Sequence, residues 1–354
     1  MMNTMNHQLT VAIAVPLEAE LVELIRGVDP DVTVLYDADL LPPERFPADH
    51  SGDPDFVRSP HQEERYWSML NAADVLFGLP GESAQGLARV ADENPRLRWV
   101  HAMAAGAGAA VRAAGLDRGQ LERIMVTTSA GVHARPLAEF ALMGVLNGLK
   151  RVPELQSDQA ARRWPELRVP VRTAQGSRLV IAGLGEIGVE AAGVARALGM
   201  KVSGTRRTAG PMEGVEHVVT NDELATLVRS ADAVVNTLPG TEETENLFNA
   251  ELFAAFRPGT VLVNVGRGTV IDEHALLGAL EDGKVSYACL DVFAVEPLPP
   301  ESPLWGHPRV LVSPHTSALS TAENRLIAER FASNLRTVLD GGVPPHVVDT
   351  VHFY

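Results

Sequence analysis

Residues 177–207 read SRLVIAGLGEIGVEAAGVARALGMKVSGTRR, and the fold turns on how this stretch is read. Ser177 to Gly183 is an apolar run suited to a strand buried on both faces. It runs into Gly183-Leu184-Gly185-Glu186-Ile187-Gly188, a G-x-G-x-x-G turn, and then into the small-residue helix VEAAGVARALG. Glycines at these spacings allow a tight turn, close approach of the backbone to a pyrophosphate, and close packing of helix on strand. Ordinary strand–helix turns also carry glycines, so the pattern alone is weak. With a strand before it and a helix after it, the pattern points to a dinucleotide cradle, with Glu186 and Ile187 opening the helix.

The second strand, Lys201 to Thr205, should end in an acid that binds the adenosine ribose hydroxyls. This chain instead reads Ser203-Gly204-Thr205-Arg206-Arg207-Thr208. An acid would repel a 2′-phosphate, whereas two guanidiniums would hold it by charge-assisted bonds, with weaker bonds from the Ser203 and Thr205 hydroxyls. NADP(H) is therefore favoured and NAD(H) stays possible, because Arg206 could also stack on adenine or face solvent.

Outward from this core, strand-like runs recur at 217–220, 233–239, 260–266, 287–293 and 309–314, separated by helix-like segments such as 221–230 and 272–283. The alternation predicts an α/β fold with a doubly wound parallel sheet. A looser version occupies residues 8–130, so two doubly wound Rossmann-like domains are expected. The boundaries read as a flavodoxin-like first part of a substrate domain over 1–130, a nucleotide-binding domain over 131–317, and a helical segment over 318–354. That last helix follows the final strand and has none left to cover, so it should return to the first domain, which makes the substrate domain discontinuous. Leu41 to Gln62, rich in Pro, Asp and His, reads as a long loop, and residues 133–152 as a helix with apolar spacing of three and four.

Composition narrows the function classes. The 354 residues carry 45 acids against 30 bases, a net charge of −15, which argues against general affinity for nucleic acid or an anionic membrane. No lysine or arginine precedes Arg26, and no uncharged apolar run approaches the roughly 18 residues a bilayer span needs. The expected setting is the cytoplasm. The one cysteine, Cys289, lies in an apolar run and reads as a buried, inert thiol. No clustered metal ligands are evident, so no metal is expected.

Three residues near the ends of later strands carry chemistry: Arg267 in VNVGRG, Glu296 in LDVFAVEP and His315 in VSPHT. Singly they read as a surface turn, a solvated loop and a strand-end cap. Behind a nucleotide fingerprint they read together, since ligands of open α/β sheets bind outside the carboxyl ends of strands. A 2-keto acid needs its carboxylate anchored, its carbonyl polarised and a proton delivered. Arg267 supplies a planar fork for carboxylate and carbonyl. Amides of the Ala105-Gly106-Ala107-Gly108 turn suit the second carboxylate oxygen. His315 suits proton exchange, and Glu296 would fix its tautomer and stabilise the imidazolium. His133 reads as a packing residue at a helix start rather than a substrate contact.

From about residue 75 onward the chain resembles the D-isomer-specific 2-hydroxyacid dehydrogenases. The matching pieces are GAG (106–108), SAGVHARPLAEFAL (129–142), GLGEIG (183–188), LPGTEETENLF (238–248), VNVGRGTVIDE (263–273), LDVFAVEPLP (290–299) and SPHTSA (313–318). The resemblance implies Arg267, Glu296 and His315 as the catalytic trio acting on a small 2-keto or 2-hydroxy acid. It extends the cofactor contacts to Leu238, Pro239, Thr244, Val265, Asp291 and His315, with Asp291 on the nicotinamide amide. It also implies a homodimer paired through the nucleotide-binding domains, partly by the helix at 133–150. Gly240 departs from the leucine common in the family, and a looser loop near the ribose is expected there. A nucleotide-sensing corepressor on the same fold is the alternative from another class. Formate dehydrogenase, a further relative in fold, pairs its histidine with glutamine, unlike Glu296.

Overall fold

Two all-parallel sheets grow from the apolar β-branched runs, as suits strands covered on both faces. The computed structural model describes residues 9–351 and 353. In the first sheet β1 (Thr10–Ile13), β2 (Thr33–Leu35), β3 (Val75–Phe77), β4 (Trp99–Ala102) and β5 (Met125–Thr128) lie in the order β2-β1-β3-β4-β5. The second contains β6 (Arg178–Ala182), β7 (Lys201–Thr205), β8 (Val218–Val219), β9 (Ala233–Asn236), β10 (Thr260–Asn264), β11 (Val285–Leu290) and β12 (Val310–Val312). Its order is β12-β11-β10-β9-β6-β7-β8. The described residues divide into two units, one running to His133 and resuming at Leu319, the other spanning Ala134–Ala318.

Within the first unit, the helix Glu323–Leu339 repeats apolar residues every fourth position, which places Ile327, Phe331 and Leu335 on one face. That face is buried in one cluster with Val11, Phe77 and Trp99. Phe331 stacks on Trp99 with ring centroids 5.0 Å apart. Truncating such a side chain to alanine costs about 3–5 kcal/mol.

The loop expected from Leu41 to Gln62 ends earlier. Ser59 and Gln62 form a reciprocal capping box, Pro60 occupies the first turn, and a helix runs Pro60–Asn71. The Pro- and Asp-rich composition hid this start signal, because Pro60 reads as a breaker unless the cap before it is recognised.

In the second unit the strand order reverses at β6, which pairs with β7 on one side and β9 on the other. The crevice of a doubly wound sheet opens at such a reversal, outside the carboxyl ends of the strands. One face of the sheet is covered by the helices Ala134–Lys150 and Glu186–Ala197. Leu137, Ala141, Val145 and Leu149 form the stripe that packs on Leu179, Ile181 and Val263. The other face buries Phe248, Phe253 and Phe256. Cys289 lies in the first of these cores, where burial pushes its thiol up to about 12 and leaves it inert. A second helix, Val152–Ala160, follows directly after Lys150 and was not evident from the sequence.

Candidate active site

The nucleotide turn is built from the end of β6. Gly183 takes φ +100°, a left-handed conformation that glycine adopts without strain, and its N–H donates to Thr205 Oγ1 at 3.1 Å. A Cβ on Gly188 would lie 2.1 Å from the Gly183 carbonyl oxygen, so this third glycine is what lets the helix Glu186–Ala197 sit on the turn. At Gly185 a Cβ would meet nothing within 4 Å, and the helix opens there with no side-chain cap. An open approach to an uncapped helix start suits a pyrophosphate, so these residues fit a dinucleotide. Glu186 is exposed and Ile187 half-buried beside that approach.

Thr205 is fully buried and its hydroxyl is engaged by Gly183, so it shapes the turn rather than reaching a 2′-phosphate. The next residues, Arg206 and Arg207, are exposed at the end of β7. Leu238 and Val265 are buried beside the turn, and Pro239 is exposed.

The loop at Gly240 is tight, contrary to the looser loop expected. Buried Thr244 accepts from the Thr241 N–H at 2.9 Å and donates to the Pro239 carbonyl at 2.6 Å. A Cβ on Gly240 would lie 2.8 Å from Thr269 Oγ1, so the glycine permits close packing where a leucine would collide.

Arg267, Glu296 and His315 follow β10, β11 and β12, three neighbouring strands, at their carboxyl ends. Arg267 is exposed, and its Nη1 donates to the Gly266 carbonyl at 2.8 Å. Its loop is set by Asn264, whose amide donates to the Arg267 carbonyl at 3.2 Å and whose Oδ1 accepts from Gly266 and from Asn236. Glu296 Oε1 accepts from the Phe293 N–H at 2.9 Å, and its Oε2 meets His315 Nδ1 at 2.8 Å. Burial alone would raise the Glu296 pKa. The hydrogen bonds from His315 and Phe293, with the charges of His315 and Arg267, outweigh this and hold it below the usual carboxylate value. Arg267 is thus close enough to act electrostatically on the pair.

His315 sits at φ +55° in a loop clamped by Asp291. That carboxylate is 1% exposed; it accepts from Ser313 Oγ at 2.6 Å and from the N–H groups of Thr316 and Ser317 at 3.0 Å, with Ser317 Oγ on its other oxygen. Three of these bonds fall on Oδ1 and one on Oδ2, and together they hold the His315 loop in place. The His315 side chain is 51% exposed, and its Nε2 has no protein partner among the described residues. With Nδ1 held by Glu296, Nε2 is the atom left to exchange a proton with a ligand.

In the first unit, the turn after β4 places Ala105 and Gly106 in exposed positions and buries Ala107 and Gly108 at the start of the helix Gly108–Ala114. His133 Nε2 lies 3.0 Å from Glu323 Oε1, in keeping with a packing role. The residues that sequence reading missed are Asn236, Asn264, Ser313 and Ser317. An asparagine closing each of the apolar runs AVVN and TVLVN was the available signal.

An exposed guanidinium, a carboxylate-held imidazole and a dinucleotide cradle on one sheet suit hydride transfer at a carbonyl. Fold and site together define a nicotinamide-nucleotide-dependent oxidoreductase. Residues 142–317 match the model of the D-isomer specific 2-hydroxyacid dehydrogenase NAD-binding domain. The chain is 30% identical to a glyoxylate/hydroxypyruvate reductase A of Salmonella heidelberg over 80% of its own length and 89% of that protein. Among solved structures it is similar to a D-isomer specific 2-hydroxyacid dehydrogenase of Xanthobacter autotrophicus in complex with NADPH and MES. There the TM-score is 0.74 and the identity 29%, covering 98% of this chain and 100% of that one. It is similar as well to an NADPH-dependent glyoxylate/hydroxypyruvate reductase of Sinorhizobium meliloti in complex with NADP and sulfate, at TM-score 0.73 and 26% identity, covering 98% and 100%. The chain belongs to the D-isomer specific 2-hydroxyacid dehydrogenase family. Nothing in these likenesses supports the corepressor alternative. Among the described residues, no helix is long and apolar enough to cross a membrane.

Proposed function

We propose that the chain reduces small 2-keto acids, glyoxylate and hydroxypyruvate first among them, with NADPH as the favoured reductant. The observation that carries this reading is the 2.8 Å contact of His315 Nδ1 with Glu296, which leaves Nε2 as the one ring nitrogen available to a carbonyl oxygen. When bound, the nicotinamide supplies the hydride. Arg267 holds the substrate carboxylate and draws charge toward the carbonyl oxygen with its fork. His315 gives its Nε2 proton to that oxygen, and Glu296 stabilises the imidazolium before transfer. The amides of the turn at Ala105 and Gly106 are assigned to the carboxylate, and Arg206 with Arg207 to the 2′-phosphate of the cofactor. Asp291 serves by keeping His315 in position. The reductases of known structure, solved with NADPH or NADP, support the cofactor assignment by likeness.

The same reading makes the protein a cytoplasmic homodimer. The helix Ala134–Lys150 and the segment after it leave Met143, Leu155, Trp164, Leu167, Val169 and Val171 exposed, an apolar surface that a second copy would cover. Light scattering that finds a 38 kDa particle at micromolar concentration removes the dimer.

Steady-state reduction of a panel of 2-keto acids, with NADPH and with NADH, tests the function. His315→Ala should lower turnover by roughly two orders of magnitude or more, leaving cofactor affinity near wild type. Turnover within about a tenth of wild type would remove His315 as proton donor.

A further inference from the structure

Four arginines that are distant in sequence line one cavity of about 440 Å³ in the second unit. Arg151 links the helices Ala134–Lys150 and Val152–Ala160, Arg172 follows them, Arg257 precedes β10 and Arg309 precedes β12. The cavity therefore lies at the amino ends of the strands, whereas the nucleotide turn and the catalytic trio lie at their carboxyl ends.

The charges there do not balance. Glu154 is the one acid in the lining and is paired with Arg151. Asp232 stands behind, paired with Arg257 and 3.7 Å from Arg172. The lining itself sets four guanidiniums against the one carboxylate of Glu154, in a chain whose net charge is −15. Burial pushes the Arg172 pKa below the usual guanidinium value; Asp232 opposes that shift and the charge of Arg257 adds to it. Protein atoms take only part of the hydrogen-bonding capacity. Arg172 donates to the Gly259 carbonyl at 2.8 Å and Arg309 to the Leu280 carbonyl at 2.5 Å, while each guanidinium has five N–H donors. Several planar donor groups around a concave space, outnumbering the acids in its lining, match a tetrahedral oxyanion.

We infer that this cavity is a binding site for a phosphate-type oxyanion, separate from the cofactor's own phosphate contacts. Bound there, the anion would tie Arg151 to the strand-end arginines, joining the helix pair to the sheet. Neither the catalytic trio nor Arg206 and Arg207 takes part.

The test is thermal unfolding of the full chain in inorganic phosphate against chloride at equal ionic strength, with and without saturating nucleotide. Phosphate at about ten times its Kd should raise Tm by roughly 2–4 °C beyond chloride. The response should survive in Arg206→Ala/Arg207→Ala and weaken by about tenfold in apparent affinity or more in Arg172→Gln/Arg309→Gln. Titration with glycerol 3-phosphate separates the sources: equal affinity assigns the free ion, and tighter binding assigns a phosphorylated metabolite. Should the double variant fail to fold, phenylglyoxal labelling of the wild type, mapped by mass spectrometry, gives the answer. Phosphate should protect Arg172 and Arg309 from labelling. Equal Tm in phosphate and chloride, an undiminished response in Arg172→Gln/Arg309→Gln, or unprotected arginines would overturn the site.

Discussion

Oε2 of Glu296 lies 2.8 Å from Nδ1 of His315, while its other oxygen accepts the Phe293 N–H at 2.9 Å. The second bond fixes the carboxylate, so the first sets both the orientation and the tautomer of the imidazole. Because these bonds and nearby positive charges hold the Glu296 pKa down against its burial, the carboxylate stays charged to below the ordinary range.

Glu296→Gln keeps a hydrogen-bonding group beside Nδ1 and removes the charge that favours the imidazolium. Reduction requires the protonated ring, so its alkaline limit should move to lower pH in this variant. The pH profile of kcat/KM for a keto acid reads the effect. A profile that superimposes on wild type, where chemistry limits the rate, would separate Glu296 from the proton transfer.

Arg267→Lys should behave as a severe change although the charge is kept. An ammonium cannot reproduce two parallel N–H bonds to carboxylate and carbonyl, and the loss of one charge-assisted bond is worth about 1.5–3 kcal/mol. The expected result is a fall of roughly ten- to a hundredfold in kcat/KM for the keto acid, with nucleotide affinity little changed. An equal fall in nucleotide affinity would move Arg267 out of the substrate's reach.

The double change Arg206→Asp with Arg207→Ala should invert cofactor preference. It adds a ribose acceptor and a charge that repels a 2′-phosphate, at the exposed end of β7. The ratio of kcat/KM for NADPH to that for NADH measures it. A wild-type ratio already in favour of NADH would show that the arginines do not bind the phosphate.

Buried His101 and half-buried Glu82 contribute to the acid stability of the first unit in opposite senses. Burial lowers the His101 pKa to about 3 and raises that of Glu82 to about 7. Below 6.5 the unfolded chain binds a proton that folded His101 refuses, so stability falls with falling pH. Between 4.5 and about 7 folded Glu82 holds a proton that the unfolded chain has lost, so stability falls with rising pH. From 4.5 to 6.5 the two slopes oppose each other, and below 4.5 His101 acts alone. His101→Gln should therefore leave a downward slope of up to about 1.4 kcal/mol per pH unit as pH rises toward 7. Urea unfolding at pH 5, 6 and 7 measures it; identical slopes in variant and wild type would contradict the assignment.

The sequence by itself determined the parallel α/β plan and the glycine turn after β6, and it singled out Arg267, Glu296 and His315 as candidates. Those signals are local: apolar runs of strand length, glycines at fixed spacing, and polar residues directly after strands. The helix Pro60–Asn71 was missed because its start depends on a reciprocal bond between Ser59 and Gln62 inside a stretch whose composition reads as loop. Only the tertiary structure decided what holds these candidate residues in place. Asn236 bonds Asn264 across two strands, and Asp291 gathers the loop of His315, so each support depends on which strands became neighbours. The arginine cavity is the extreme case. Arg151 and Arg309 line one cavity only because the sheet and the helix Ala134–Lys150 bring them to the same end of the unit, and no local pattern encodes a neighbourhood between residues that far apart in the chain.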